Sequence, residues 1–486
     1  MIVGAPDIRP GSTIPASVAP FLARPVHDTP PPRSLRRSRK LHATLRYSSA
    51  EGMAAETITS CVGGAMLIAW AMYVGCGPVA IALLGALPYL AQLVQFPSAW
   101  LTSSLGSRRV AIAGFTIGRL IYAPLVALPF LPVSAGVQRL ILVAVAATAA
   151  VFTVIGTNAW VAWMGEVVPT ALRGRYFGKR LSLVTLGGAT AALSAGLVLD
   201  VARRGGWEPI ALSILAATAC VAGTISLLLL RRHQDIPVDR RRAQARRRVD
   251  VGAIGKVVRD PAARPYLRYL VVWNLAIGVS ATFFAVHMVQ NLKMGFALIA
   301  AHGVAVAAMR ILVSPMWGRL IGRFGARPVL IVCSFSLGLV PLVWLLPTPD
   351  FLFLPLALDV VLAGGLWAGH MLASFELPLA TAPRDERPWY LAAYNTAGGL
   401  AFAAASIAGG ALALALPDTL HLLGGDLADL QILFVISAVG RFSASPLALA
   451  VAEPRAQPVE ALLLSLVARL QTRRARLARA LVAIRR

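Results

Sequence analysis

The chain alternates between long apolar stretches, each of 18 or more residues, and short polar ones that carry nearly all of the charge. A helix of about 20 residues crosses a bilayer core of about 30 Å. The gap between the first two stretches, Cys76-Gly77-Pro78, is very short, so the number of predicted helices depends on whether these residues separate two helices. The pattern predicts an all-α membrane protein with twelve transmembrane helices, over residues 54–75, 78–101, 110–131, 140–164, 181–201, 209–230, 269–290, 298–316, 329–346, 351–375, 391–416 and 430–451.

The composition agrees with this pattern, since 57% of the residues are apolar, 14% are charged and the mean hydropathy is +0.71. A soluble protein of 486 residues would form several domains with charge over all of their surfaces. The four cysteines show no CxxC pairing, so neither a disulfide framework nor a zinc site is indicated. We expect no metal and no cofactor. Only four of the 46 basic residues are Lys, which is typical of a GC-rich bacterial genome.

The net charge of +25 first suggests nucleic acid as a partner, but the distribution of the basic residues points elsewhere. With twelve spans and both termini on one side, 39 of the 46 Lys and Arg fall on the terminal side and only four in the opposite loops. Positive residues accumulate on the cytoplasmic side of membrane proteins. We therefore predict a multi-pass protein of the cytoplasmic (inner) membrane, with both termini in the cytoplasm and no binding to nucleic acid.

The polar interruptions divide the chain into five parts. A Pro-rich extension, 1–50, has no apolar signal sequence and is expected to be disordered in the cytoplasm. Two six-helix bundles, 51–230 and 269–452, flank a basic linker, 231–268, whose arginines are expected to contact lipid headgroups. In the tail, 453–486, the apolar residues fall on one helical stripe, which predicts an amphipathic helix on the inner membrane surface.

A short motif occurs once in each half of the chain. The first copy reads AWLTSSLGSRRVAI from Ala99 and the second GRLIGRFGARPVLI from Gly318. Their Gly-x-Arg turns begin at Gly106 and Gly325, 219 residues apart. Similarity at half-chain spacing in an apolar protein indicates two related helical bundles, as in secondary transporters.

The second copy resembles the signature loop of the major facilitator superfamily, G-x-L-x-D-R-x-G-R-R, which joins the second and third helices of each half. Gly322 and Ser103 stand where that loop has its acidic residue. A second pair of similar segments begins at Glu166 and Glu376, where this superfamily joins its fourth and fifth and its tenth and eleventh helices. The resemblance covers residues 50–452 and implies two bundles that rock about a central binding site.

The resemblance also implies that the loop residues close the cytoplasmic side. The arginines would pair with helix C-termini or acidic groups and hold the two bundles together there. Because the usual acid is missing, Glu166 and Glu376 are candidates to replace it; the alternative is that the arginines only fix the topology. The candidate gating residues are Gly106, Arg108, Arg109, Gly318, Arg319, Arg323, Gly325, Arg327, Glu166 and Glu376.

Ionisable side chains inside a bilayer are costly and need a reason. Arg310 and Asp359 lie within the eighth and tenth segments, and we expect them to form a buried ion pair or a proton-responsive site. His287 and His370 either bind substrate or relay protons, or are packed residues. Candidates of lower rank are Asn158 as a cavity residue and Glu56 as a second proton carrier, whereas Arg119 and Arg441 are expected to be paired structurally or to snorkel.

The sequence has no nucleotide-binding loop, so energy would come from an ion gradient. We therefore expect a monomeric secondary transporter of a small molecule, coupled to protons, with efflux of an organic compound or drug slightly favoured. It is not expected to be an enzyme. The alternative is a non-transporting assembly factor or sensor on the same scaffold.

Overall fold

The computed structural model describes residues 33–233, 252–381, 387–416, 419–422, 425–453, 456–465 and 468. Its helices are Arg33–Val62, Gly64–Tyr73, Pro78–Leu90, Gln95–Leu105, Ser107–Leu120, Ala123–Ala127, Ala135–Val167, Thr170–Gly205, Glu208–Arg231, Gly252–Arg259, Arg264–Ala281, Phe283–Gln290, Phe296–Phe324, Ala326–Leu337, Leu339–Val343, Phe353–Thr381, Arg387–Ala415 and Asp429–Ala444. Three short 3₁₀ segments, Ala91–Val94, Leu128–Phe130 and Ser445–Ala450, continue neighbouring helices.

Within these residues, eleven helices are long and apolar enough to cross a membrane, or twelve if one bent pair is a single span. The bent pair is the second span, Pro78–Val94 with Pro97–Leu105, whose two parts meet at 51°. The first span ends at Tyr73 and the second begins at Pro78, so the short gap does separate two helices. The predicted all-α membrane fold is confirmed. Beyond the helices, strands Thr419–Leu422 and Gly425–Ala428 pair as an antiparallel hairpin before the twelfth span, which the sequence pattern did not predict.

The first helix starts earlier than expected, at Arg33. Our assignment of residues 33–50 to a disordered extension is therefore wrong, since these residues belong to the first helix. Residues 1–32 lie outside the described residues. The reason is that this part of the helix has partners to pack against: Thr44, Ser48 and Glu51 are all at most 2% exposed. A search for apolar stretches does not detect a helical segment that buries polar side chains.

The two halves repeat each other in backbone detail. Gly106 and Gly325 both adopt positive φ, 93° and 98°, at the turn between the second and third helices of their halves. That conformation is accessible to glycine and disfavoured for other residues, which is why the motif keeps glycine there. The first and seventh spans are also interrupted at equivalent points, Gly63 and Thr282, again 219 residues apart. The internal repeat inferred from the sequence is thus present in the fold.

We call the two ends of the bundle the terminal face and the distal face. The terminal face holds the ends at Leu105, Arg231 and Phe324; the distal face holds the turns after Tyr73 and Gln290. The halves meet where the second span packs on the eleventh and the fifth on the eighth. At the first contact the rings of Tyr89 and Phe402 stack with centroids 3.5 Å apart.

The linker and tail are described only in part. A helix, Gly252–Arg259, precedes the seventh span, which begins at Arg264 rather than at 269. Residues 459–465 are helical, and Leu462 is fully buried in the main apolar core, so this first turn of the tail packs on protein. The basic run of the linker and most of the tail stripe lie outside the described residues.

Candidate functional site

A cluster of three charged side chains lies inside the first half. Glu51 of the first span accepts from Arg119 of the third at 2.7 Å and from Arg180 of the fifth at 3.2 Å. Ser226 of the sixth span donates to the same carboxylate at 3.2 Å and also contacts Arg119. Glu51 and Arg119 are 2% and 5% exposed. A carboxylate shared by two guanidinium groups can be buried because each charge has a partner.

An aromatic ring lies against each of the two guanidinium groups. Arg119 lies 3.9 Å from the ring centroid of Phe115, and Arg180 lies 4.4 Å from that of Trp160. Arg119 is therefore paired inside the bundle, as expected for a structural arginine. Sequence reasoning missed Glu51, because it precedes the apolar stretch that predicted the first span.

The second half has its own buried acidic site, formed by Asp359 of the tenth span. One carboxylate oxygen accepts from Nε1 of Trp344 at 3.0 Å, and the other lies 3.0 Å from Nε2 of His302. The His302 contact is close, but its geometry does not meet that of a hydrogen bond. Asp359 is 4% exposed. His302 was not predicted; its position six residues after the start of the eighth span gave no signal apart from its residue type.

The predicted ion pair between Arg310 and Asp359 is wrong. Both oxygens of Asp359 are occupied by His302 and Trp344, and among the described residues no ion pair joins it to Arg310. Arg310 is half-buried, and its guanidinium contacts the sulfur of Met371 at 3.8 Å. It lies two turns further along the eighth span than His302, which takes the place that we assigned to it.

His370 and His287 are both buried, in different surroundings. Nε2 of His370 lies 2.9 Å from the hydroxyl of Tyr269, and its ring stacks on Trp273 with centroids 4.6 Å apart. His370 is thus packed in the core of the second half. His287 is 1% exposed, meets the edge of Phe434, and has no hydrogen-bond partner on either ring nitrogen among the described residues.

The remaining predicted site residues lie in the first half. Asn158 is half-buried on the fourth span and is not part of the charged cluster. Glu56 is half-buried on the first span, where it packs against the backbone of Gly188 on the fifth. Neither forms an ion pair with a described residue.

The arginines of the two signature loops make equivalent contacts. Arg108 donates to the carbonyl of Arg231 at 3.0 Å, and Arg327 donates to that of Val451 at 3.3 Å. Each arginine thus binds the C-terminal end of the sixth helix of its own half, where the helix dipole favours a cation. The predicted pairing with helix ends is present, but these bonds lie within each half and do not join the two bundles. Arg109, Arg319 and Arg323 are exposed.

The acid that the second signature loop lacks is supplied by Glu453, just after the twelfth span. Its carboxylate accepts the backbone N–H groups of Ala326 at 3.0 Å and Arg327 at 2.7 Å, at the start of the ninth span. Gln457 then donates from its backbone to Phe324 at 2.8 Å. Glu376, which we expected to replace the acid, is exposed and forms no ion pair with a described residue. The side chain of Glu166 lies outside the described residues.

The polar contacts between the halves gather towards the distal face. Asp200 of the fifth span accepts the backbone N–H groups of Phe296 at 2.7 Å and Ala297 at 2.9 Å, which begin the eighth span. Ser406 of the eleventh span donates to the carbonyl of Ala82 at 3.1 Å.

One buried titratable side chain, that of His233, lies outside the spans. His233, just beyond the sixth span, is 3% exposed and places Nδ1 2.9 Å from the carbonyl of Leu229. Burial lowers the pKa of His233 below its ordinary value, and the hydrogen bond to Leu229 opposes this only in part. The described residues contain no group of His, Cys, Asp and Glu that is able to hold a metal ion.

Comparisons with known proteins agree with this architecture. The sequence profile of the Major Facilitator Superfamily matches residues 52–406. No curated protein matches the sequence significantly. Among solved structures, the nucleoside transporter NupG is similar with a TM-score of 0.60 and 14% identity, covering 85% of this chain and 98% of that one.

Two further solved structures show the same likeness. The xylose transporter XylE from E. coli, in an inward open conformation, has a TM-score of 0.61 and 12% identity over 86% of this chain and 98% of its own. A bacterial homologue of the human drug peptide transporters PepT1 and PepT2 has a TM-score of 0.59 and 13% identity, over 85% and 98%. At such identities the likeness shows the fold and leaves the cargo open.

Proposed function

The chain belongs to the Major Facilitator Superfamily, and on that basis we propose that it is a proton-coupled secondary transporter of a small organic compound. It works by alternating access, with efflux the slightly favoured direction. The two halves rock as bodies about a site between them, so that each face opens in turn. The protein acts as a monomer in the inner membrane, without nucleic acid or a cofactor.

The observation that carries this proposal is the set of polar contacts that join the halves on the distal side. Asp200 and Ser406 each form hydrogen bonds there with residues of the opposite half. In a transporter that works by alternating access, contacts of this kind close one face and must break for that face to open. The excess of Lys and Arg on the terminal face supports a cytoplasmic location for it.

Asp359 is the proposed proton carrier. A buried carboxylate changes its interactions when it takes up a proton, because neutral Asp359 no longer attracts the buried guanidinium of Arg441 on the twelfth span. The contact between Asp359 of the tenth span and His302 of the eighth, near the distal face, then changes as well. Proton binding is thereby linked to the packing of the half that must move. His287, buried on the seventh span with neither ring nitrogen hydrogen-bonded to a described residue, is a second proposed proton-binding group of this half.

A non-transporting sensor or assembly factor is the second candidate. The first signature loop, which has Ala99, Ser103 and Ser104 at three family positions, favours it. The buried carboxylate of Asp359 favours transport, because an ionisable side chain inside a membrane is costly and usually marks a functional site. Only a transporter needs both faces to open.

Flux in inverted membrane vesicles tests the proposal. Vesicles with the wild-type protein are supplied with a panel of metabolites and drugs under an imposed proton gradient, and vesicles with Asp359→Asn serve as the control. We expect at least one compound to accumulate in the wild type and none to accumulate with Asp359→Asn. The absence of flux of every compound under gradients of either sign would overturn the proposal.

A further inference from the structure

Hydrogen-bond donors without partners surround Arg180 in the first half. Nε1 of Trp160 and the hydroxyls of Ser48 and Tyr176 are buried, and none forms a hydrogen bond with a described residue. Trp160 is 9% exposed and Ser48 is fully buried. Buried polar groups are nearly always hydrogen-bonded in proteins. Several unsatisfied donors in one place therefore point to a missing acceptor.

These groups lie close together because Arg180 contacts each of their elements. Its guanidinium covers the ring of Trp160 at 4.4 Å, and its Nε donates to the carbonyl of Ser48 at 3.2 Å. Tyr176 precedes Arg180 by one helical turn on the fifth span, so the two side chains project from the same face. The Tyr176 hydroxyl faces that of Ser48 without a well-formed hydrogen bond between them.

The two arginines of the cluster differ in how fully their nitrogens are hydrogen-bonded. Arg119 uses both terminal nitrogens, one on Glu51 and one on Ser226, and its side chain is 7% exposed. Arg180 uses Nη2 on Glu51 and Nε on Ser48, and its side chain is 19% exposed. Glu51 already has a complete partner in Arg119. Arg180 is the more exposed of the two arginines, and its Nη1 forms no hydrogen bond with a described residue.

We propose that Arg180, Trp160, Tyr176 and Ser48 form a binding site for the anionic group of an organic acid, a carboxylate or a phosphate. This inference rests on the proposed function, and it names the cargo class as organic anions. The site supplies the Arg180 guanidinium and neutral donors, and Glu56 is a further carboxylate whose charge acts on Arg180. Guanidinium and indole donors suit the paired oxygens of a carboxylate or phosphate.

A lipid phosphate has the same chemistry as a free organic anion, and it reaches the bundle from the membrane. The experiment must separate these two sources. It must also separate the site from Arg310, the half-buried arginine of the second half, which has no ion pair among the described residues. Arg310→Gln is the matched variant, since it removes a membrane arginine of the other half.

Binding is measured by thermal shift on the purified full chain with benzoate, phenyl phosphate and, as the neutral analogue, benzamide. We expect an anionic probe to stabilise the wild type, and benzamide to have no effect. Arg180→Gln, which leaves the Glu51–Arg119 pair balanced, should weaken binding of the anion about tenfold or more. Trp160→Phe keeps the ring and removes the N–H, and it should weaken binding about fivefold. Arg310→Gln should bind like the wild type.

The lipid source is tested in nanodiscs of phosphatidylcholine alone and of phosphatidylcholine with phosphatidylglycerol. Equal probe affinity in both supports a free organic anion, whereas competition by phosphatidylglycerol that Arg180→Gln abolishes supports a lipid phosphate in the same site. Binding lost in Arg310→Gln and retained in Arg180→Gln would overturn the site, as would equal stabilisation by benzamide. Anion binding without any flux contradicts the proposed function alone; flux of a compound without anion binding contradicts the site alone.

Discussion

Asp200 of the fifth span and Phe296 of the eighth are joined by a hydrogen bond of 2.7 Å across the boundary between the two halves. The acceptor is a carboxylate and the donor is the first backbone N–H of a long helix, where the helix dipole favours negative charge. The contact therefore combines a bond with a charge–dipole attraction. It exists only while the halves are together at the distal face, so it favours the distally closed state over the open one.

Asp200→Asn should shift this protein towards the distally open state. The amide keeps the size of the side chain but loses the charge, which is worth about 1 kcal/mol at a helix N-terminus. In a background with the four cysteines replaced by alanine, we expect the modification rate of Ala82→Cys by an impermeant maleimide added to the distal side to rise about fivefold. An unchanged rate, relative to the protein with Asp200 intact, would show that the Asp200 contact does not hold the distal face closed.

Gly295→Ala provides an independent perturbation of the same cap. A Cβ at Gly295 would lie 2.6 Å from Oδ2 of Asp200, so the carboxylate must move away. The change in labelling should match that of Asp200→Asn, and the double variant should add little. Gly303→Ala is the matched control on the same helix, because a Cβ there meets nothing within 4 Å.

Glu51→Gln should destabilise the first half strongly. It leaves Arg119 and Arg180 without a countercharge, and a buried charge that loses its partner costs about 3–5 kcal/mol in soluble proteins. Glu376→Gln is the control, since Glu376 is exposed in the other half and has no ion pair with a described residue. Thermal unfolding in detergent should separate the two variants clearly. Similar melting temperatures would mean that the cluster is hydrated and contributes little.

Glu453→Ala should weaken the attachment of the tail to the second signature loop. The carboxylate satisfies two backbone N–H groups at the start of the ninth span, and loss of a helix cap costs about 0.5–2 kcal/mol. Hydrogen exchange at Ala326 and Arg327 should become faster, while Glu460→Ala, at an exposed position of the tail, should leave it unchanged. Unchanged exchange in Glu453→Ala would remove the capping role.

His233 should make stability depend on pH. Its pKa is lowered by burial, so the folded protein binds a proton less readily than the unfolded chain, whose histidine pKa is about 6.5. The contribution is fully present above that value and is lost as pH falls below it. The melting temperature of His233→Gln should therefore fall less than that of the wild type between about pH 7 and about pH 5, a range that includes the ordinary histidine pKa. An identical fall in the variant would assign the effect to other groups.

Sequence patterns predicted the fold more completely than the site. The length of the apolar stretches predicted the membrane spans, and the turns at Gly106 and Gly325 predicted the internal repeat. Both predictions were possible because they depend on residues that are close together in the sequence. The pairing of Asp359 did not follow, since His302 and Arg310 are equally plausible partners on one helix until the rotation of that helix is known. Glu51 and Glu453 were missed because each lies at the edge of an apolar stretch and acts on residues far away in sequence.

The most direct test of alternating access is to measure two distances in the same protein, without knowledge of the cargo. In a background with the four cysteines replaced by alanine, spin labels are placed at Val133→Cys and Asp350→Cys on the distal face, and separately at Leu105→Cys and Gly322→Cys on the terminal face. Adding Asp200→Asn should lengthen the distal distance and shorten the terminal one. If both distances change in the same sense, or if only one of them changes, the halves do not rock about a central site and the account is contradicted.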